Sequence, residues 1–190
     1  MNPSEDNRFE AFFADDDYLL LKNHLYNYLL RRRAVRRCQR KRVQGPILEV
    51  GSGMSPMTEA SGRVVYSELS FAAIMALKRR QPEGSYVVAD AASLPFKAGT
   101  FQEIICSEVL EHLPDDRSAL REMACVLKGG GALILTFPHR RCYFASDDRF
   151  VNHFRRYELD EMVAHLIQSG LHPAEVRKVL GPLEKATMWL

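Results

Sequence analysis

Ile47-Leu48-Glu49-Val50-Gly51-Ser52-Gly53-Met54-Ser55-Pro56 is the stretch whose reading decides the fold. ILEV is a short apolar run of the kind that forms a strand buried on both faces. It runs straight into Gly51-Ser52-Gly53, where the backbone must turn sharply and a ligand can lie against it with no Cβ in the way. Pro56 suits the first position of a helix expected at 56–60. The N–H groups and positive end of such a helix would face the ligand, beyond the carboxyl end of the strand. Two details narrow the ligand. A dinucleotide-binding G-x-G-x-x-G would need glycine where Pro56 stands. Glu49, two residues before the first glycine, is awkward beside a pyrophosphate and useful beside a cationic or zwitterionic group.

Outward from this turn, short apolar runs recur at 64–66, 86–89, 103–106, 132–137 and 174–179. Helical spacing appears between them at 70–79, 115–127 and 158–169, the last with Leu159, Met162, Val163 and Leu166 on one stripe and Gly170 closing it. Alternation of this sort predicts an α/β fold, a doubly wound and mostly parallel sheet with helices on both faces. A further helix is expected from Tyr18 to about Lys41, stopped by Gly45-Pro46. The expected organisation is therefore an acidic N-terminal segment plus basic helix at 1–44, packed on a core at 45–190.

The next strand ends repeat the pattern of the first. Glu68 follows VVYS, 17 residues after Gly51, close to the offset at which an acid takes ribose hydroxyls. A carboxylate accepts two hydrogen bonds from a vicinal diol. Asp90 follows SYVVA and can accept from an adenine amino group, while Ala91 leaves room for the ring. Together these ends outline one adenosine-shaped site. The local alternative for Glu68 is a surface glutamate capping the following helix.

At this point the chain resembles a class I S-adenosylmethionine-dependent methyltransferase of the small, single-domain type 11 group, with a Rossmann-like core. The matching residues are E-x-G-x-G at 49–53, Glu68, ADAASLPF at 89–96, and the long stretch from Phe101 to His139 with its CSEVLEHL turn and VLKGGG helix end. The likeness covers about residues 45–180 and departs at Ser55, where many members carry a third glycine. It implies S-adenosyl-L-methionine as methyl donor, with S-adenosyl-L-homocysteine as product. It also implies that Gly51, Ser52 and Gly53 admit the methionine part, with Glu49 facing its ammonium. Glu68 would hold the ribose, Leu69 would pack on adenine, and Asp90 with Ala91 would meet the adenine edge. Ser107 would line the transfer chamber, near Glu108 and His112.

Methyl transfer from a sulfonium is an in-line displacement, and alignment alone supplies on the order of 7–11 kcal/mol. Where the acceptor is a hydroxyl, a histidine base helps. Candidates are His153, His139 and His112, each of which also reads as a structural residue. The stretch 138–157 is the longest expected irregular segment and, with the N-terminal helix, should cover the acceptor pocket. Arg140, Arg141, Arg155 and Arg156 suit an anionic acceptor, and Arg156 with Tyr157 are the substrate residues expected there.

Composition bounds the rest. The 190 residues, 46% hydrophobic and 26% charged, can bury one core and are no disordered tail. No apolar run of about 18 residues exists to span a membrane. The opening MNPSEDNRFE is not a secretory leader. Cys38, Cys106, Cys125 and Cys142 stand alone, so neither a zinc site nor a disulfide framework is expected, and a cytoplasmic location fits. The net charge of +2 hides an acidic start and the run RRRAVRRCQRKR at 31–42, with eight basic residues and no acid. That run is either a solvated helix face or a contact for RNA or an acidic lipid surface. CSEVLEHL differs from the Asn-Pro-Pro-Tyr-like turn common in base N-methylation. A small-molecule or lipid-linked acceptor is therefore expected. The alternatives are an NAD-dependent oxidoreductase, disfavoured by Pro56 and the lack of Tyr-x-x-x-Lys, and a non-catalytic adenosine-binding or adaptor domain. After 174–179 only GPLEKATMWL remains for the group's closing hairpin, so a very short last strand or a truncated C-terminus is expected.

Overall fold

The structure, a computed structural model, describes residues 26–39, 44–59 and 61–179. Five strands form one sheet: β1 (Ile47–Val50), β2 (Val64–Glu68), β3 (Ser85–Val88), β4 (Phe101–Ser107) and β5 (Leu127–Thr136). All neighbours are parallel and the order is β3-β2-β1-β4-β5. The chain thus builds outward from β1 in one direction, then returns and builds in the other. That reversal opens a crevice at the carboxyl ends of β1 and β4, the place where open α/β sheets bind ligands.

Helices cover both faces of the sheet, because alternate residues of its central strands are apolar on both sides. Leu48, Val50, Ile104 and Cys106 face α3 (Asp116–Val126) and α5 (Leu159–Gln168), meeting Leu120, Met123, Val126 and Met162. Ile47, Val64, Tyr66 and Ile105 face the opposite layer, with Leu77 of α2 (Phe71–Arg80) and with Tyr28 and Val35 of α1 (Tyr26–Cys38). The α2 helix starts at Ser70, whose hydroxyl accepts from the Ala73 N–H at 3.2 Å; Asp115 caps α3 from the Ser118 N–H at 2.9 Å. Each cap satisfies a donor that a helix start would otherwise leave orphaned.

The expected strands at 47–50, 64–66, 86–89, 103–106 and 132–137 and the helices at 70–79, 115–127 and 158–169 are all present, with ends shifted by a few residues. Of the helix expected from Tyr18 to Lys41, Tyr26–Cys38 is observed, and 18–25 and 40–41 lie outside the described residues. Three expectations are corrected. No helix follows the Gly51 turn through 56–59. The Glu49 carboxylate draws in the N–H groups of Met57 and Thr58, while the Tyr28 hydroxyl donates to the carbonyls of Ser55 and Pro56, which a helix would need for its own ladder. Next, 174–179 forms no strand: it has no paired neighbour among the described residues, and Val176 is 59% exposed. Its expected hairpin partner falls in 180–190, outside the described residues. Finally, 138–157 is not wholly irregular. It carries a 3₁₀ turn at Arg141–Tyr143 and the short helix α4 (Ser146–Phe150). It then closes back on the sheet, the Arg140 N–H donating to the Tyr157 carbonyl at 2.9 Å and the Tyr157 N–H to that of Pro138 at 3.0 Å.

Candidate functional site

The Gly51 turn sits at the switch point, with Gly51 at φ +65° and Gly53 at +53°. A Cβ built on Gly51 would stand 2.4 Å from Cγ2 of Val109, so only glycine lets this turn press against the segment leaving β4. The N–H groups of Gly51 and Ser52 both donate to the Ser67 carbonyl, at 2.8 and 3.1 Å, and the Gly53 N–H donates to Oε2 of Glu68 at 2.9 Å. Glu68 Oε1 accepts from Leu69 and Ser70 N–H at 2.9 and 3.3 Å. The acid at the end of β2 is therefore held against the glycine turn of β1, and Leu69 beside it leaves an apolar surface 39% exposed. Asp90 follows β3, with Oδ1 accepting from the Ala92 N–H at 2.8 Å, and Ala91 is buried next to it.

Glu49 points inward rather than along the strand. It is buried and accepts from the N–H groups of Met57 at 2.6 Å and Thr58 at 3.0 Å and from the Thr58 hydroxyl. Burial pushes its carboxyl above the ordinary range, against those three donors. Its placement makes it the brace of the loop at 56–58. Neighbouring Tyr66 is also raised, to about 12, chiefly by burial.

Beyond β4 the chain makes a tight turn in which Glu108, a non-glycine, adopts φ +55°. Hydrogen bonds hold it there: the Thr136 hydroxyl donates to Oε1 at 3.0 Å and lies 2.8 Å from the Ser107 hydroxyl, while Arg31 of α1 approaches Oε2 at 3.4 Å. Held backbone strain of this kind collects at functional sites. The 3₁₀ turn Leu110–His112 follows. Glu111 within it is fully buried, and neither carboxylate oxygen has a hydrogen-bond partner among the described residues. Burial, aided by the charge of Glu108, holds its carboxyl well above the usual carboxylate range. The Nε2 of His153 lies 3.8 Å from Oε1.

His153 is itself fixed from behind. Its Nδ1 is 2.7 Å from Oδ1 of Asp148, which also receives Nε of Arg156 at 2.8 Å, and the other Asp148 oxygen accepts from the Ala145 N–H at 2.8 Å. These donors hold the Asp148 carboxyl below its ordinary range despite its burial. The His112 ring meets the His153 ring edge to face, centroids 4.6 Å apart. The Phe154 N–H donates to the Glu111 carbonyl at 2.8 Å, tying the two segments together.

Of the expected site residues, the structure gathers Gly51, Ser52, Gly53 and Glu68 at the switch point, with Leu69 directly after Glu68. Asp90 and Ala91 follow β3, and Ser107 with Glu108 closes β4. His112 and His153 come together. His139 stands apart, its ring 44% exposed and 3.8 Å from Glu158. Arg156 is committed to Asp148, and Tyr157 is fully buried with its hydroxyl donating to Asp116 at 2.6 Å. Arg155 also pairs with Asp116, at 3.0 Å, and Arg141 with Glu161. Sequence reasoning did not single out Tyr28, Arg31, Glu111, Thr136 or Asp148. Only the E-x-x-E-H spacing of Glu108, Glu111 and His112 offered a signal, since three residues apart on a tight helical turn share a side.

Carboxylates thus stand at the ends of β2 and β3 around the glycine turn, whose own N–H groups are taken up by Ser67 and Glu68, and the buried Ser55 hydroxyl has no hydrogen-bond partner among the described residues. Residues 48–135 match the family model described as a methyltransferase domain. A "probable S-adenosylmethionine-dependent methyltransferase" of Mycobacterium tuberculosis is 28% identical over 152 residues, covering 76% of this chain and 56% of that protein. A demethylmenaquinone methyltransferase of Paenarthrobacter aurescens is 35% identical over 95 residues, covering 48% of this chain and 38% of its own length. Among solved structures, a chain of the complex between the Haloferax volcanii Trm112 methyltransferase activator and a methyltransferase superposes with a TM-score of 0.75 at 19% identity, over 91% of this chain and 78% of that one. A methyltransferase of Mesorhizobium loti gives 0.66 at 16%, over 88% of this chain and 90% of that one. At these identities the structures speak to the fold. The chain spans about half the length of the curated relatives it matches. In sequence and fold the chain is similar to the class I S-adenosylmethionine-dependent methyltransferases, whose cosubstrate is S-adenosyl-L-methionine. Among the described residues no helix is long and apolar enough to cross a membrane.

Proposed function

We propose that this chain transfers a methyl group from S-adenosyl-L-methionine to a small-molecule or lipid-linked acceptor, releasing S-adenosyl-L-homocysteine. The carrying observation is the 2.9 Å bond from the Gly53 N–H to Glu68, which joins the glycine turn and the β2 acid into one receptor at the switch point. Gly51, Ser52 and Gly53 would receive the methionine part, Glu68 the ribose, and Leu69, Asp90 and Ala91 the adenine. The acceptor would enter over Ser107 and Glu108, covered by α1 through Arg31 and by 145–157 through His153. The sulfonium supplies a good leaving group, so the protein's task is to align nucleophile, methyl and sulfur and to exclude water. Relatives named demethylmenaquinone methyltransferase support the lipid-linked member of the acceptor pair.

The test is calorimetric titration of the chain with S-adenosylmethionine, S-adenosylhomocysteine and NAD, repeated on Glu68→Ala and Glu68→Gln. Micromolar binding of the two sulfur nucleotides, no binding of NAD, and at least a tenfold loss in both variants with melting curves still cooperative are expected. Binding of NAD, or full affinity in both variants, would overturn the reading.

A further inference from the structure

Three side chains from two segments converge beside the acceptor side of this crevice: Glu111 and His112 from the turn after β4, and His153 from the segment after α4. One ligand atom from each lies within 4.8 Å of the other two. A buried carboxylate whose oxygens receive no hydrogen bond is unstable as an anion and requires either a proton or a cation. Glu111 is such a group, at 0% side-chain exposure and aimed at His153.

The second observation is independent of Glu111. His153 is oriented as a metal-bound histidine is, with Nδ1 held by a buried carboxylate and Nε2 turned into the cluster. Asp148 holds Nδ1 at 2.7 Å, and Arg156 and the Ala145 N–H hold Asp148 in turn. Oriented in this way, the ring can present only Nε2 to Glu111. The guanidinium groups of Arg31 and Arg156 pair with Glu108 and Asp148, and neither makes a hydrogen bond to Glu111.

We propose that Glu111, His112 and His153 form a divalent cation site, with Asp148 and Arg156 as positioning residues behind His153. The site uses no cysteine, so the isolation of the four cysteines has no bearing on it. Two imidazoles and one carboxylate favour a first-row transition ion over magnesium or calcium, which take oxygen ligands. Bonds of about 2.1 Å allow ligand atoms no more than about 4.2 Å apart, so the cluster closes by roughly half an ångström on loading. Three protein ligands leave coordination positions free for water or for an oxygen of the acceptor. This deepens the methyltransferase reading, in that the cation would orient an oxygen-bearing acceptor, and it rests on that reading only there.

The test uses the 190-residue chain stripped with a chelator, then titrated with Mn²⁺, Zn²⁺ or Mg²⁺ and followed by calorimetry and by the electron-spin signal of free Mn²⁺. One equivalent of Mn²⁺ or Zn²⁺ should bind, Mg²⁺ at least tenfold more weakly. His153→Ala and Glu111→Gln should each lose at least tenfold in affinity, and Asp148→Asn ten- to a hundredfold. Because Glu111→Gln changes a buried residue, melting curves accompany each variant, and the mostly buried but less central His153→Ala decides if Glu111→Gln fails to fold. No stoichiometric binding, or binding unchanged in His153→Ala, overturns the site and leaves His153 with a proton-transfer or structural role. S-adenosylhomocysteine is titrated in parallel: its binding without metal binding overturns only the cation site, while its absence overturns the methyltransferase reading.

Discussion

Replacing Gly51 with alanine tests the contact on which the switch point is built. Two costs add. An alanine at φ +65° sits in the left-handed region, at about 1–2 kcal/mol. Its Cβ would also lie 2.4 Å from Cγ2 and 3.1 Å from Cγ1 of Val109, forcing that side chain off its rotamer for roughly 0.5–1.5 kcal/mol more. The sum, about 2–3 kcal/mol, corresponds to a melting temperature lower by roughly 4–12 °C in a chain of this size. The second term should vanish when Val109 is trimmed to alanine, because the remaining Cβ lies 3.3 Å from the new methyl and can give way. Urea unfolding of the wild type, Gly51→Ala, Val109→Ala and the double variant isolates that term. Gly51→Ala should cost about 1 kcal/mol less in the Val109→Ala background than in the wild type. Equal costs in the two backgrounds, within about 0.3–0.5 kcal/mol, would show that the clash is not what makes glycine necessary. Titration with S-adenosylhomocysteine should rank the four proteins in the same order.

Glu49 predicts a pH dependence. Its folded pKa lies above the unfolded value of about 4.3, so its contribution to stability is complete below that value and is lost as pH rises through the folded pKa. Glu49→Gln removes this slope, and the gap between wild type and variant should narrow as pH climbs from about 4.3 toward neutrality in urea-unfolding series; a gap constant across that range refutes it. The variant should also cost about 1–3 kcal/mol in acid, since the Gln amide cannot accept from the Thr58 N–H where an oxygen now does. Tyr28→Phe removes the donor to the carbonyls of Ser55 and Pro56 while keeping the buried ring. It should weaken S-adenosylhomocysteine several-fold with a melting shift of only a few degrees, and unchanged affinity would mean that α1 does not brace the glycine loop.

Much of the fold was legible because it is local. The apolar runs at 47–50, 64–66 and 103–106 are buried on both faces, so their pattern needs no knowledge of partners. The glycine turn, Glu68 and Asp90 were legible because strand ends in a parallel sheet all project to one edge. The helix expected at 56–60 was not to be found, since Pro56 is a local signal and Glu49 with Tyr28 overrides it through contacts 8 and 28 residues away in sequence.

The amino-acid sequence by itself determined the α/β architecture and the strand-end acids, because hydrophobic period and glycine position act over a few residues. Tertiary structure alone decided the surroundings of Glu108 and Glu111. Arg31 reaches Glu108 across 77 residues of chain, and Thr136 reaches it across 28. Asp148 and His153 become a unit facing Glu111 only because the segment after α4 folds back on the residues that follow β5, where Tyr157 bridges His139. Nothing in the spacing of these residues encodes that meeting. It follows from which surfaces of the sheet remain to be covered once the strands are in order.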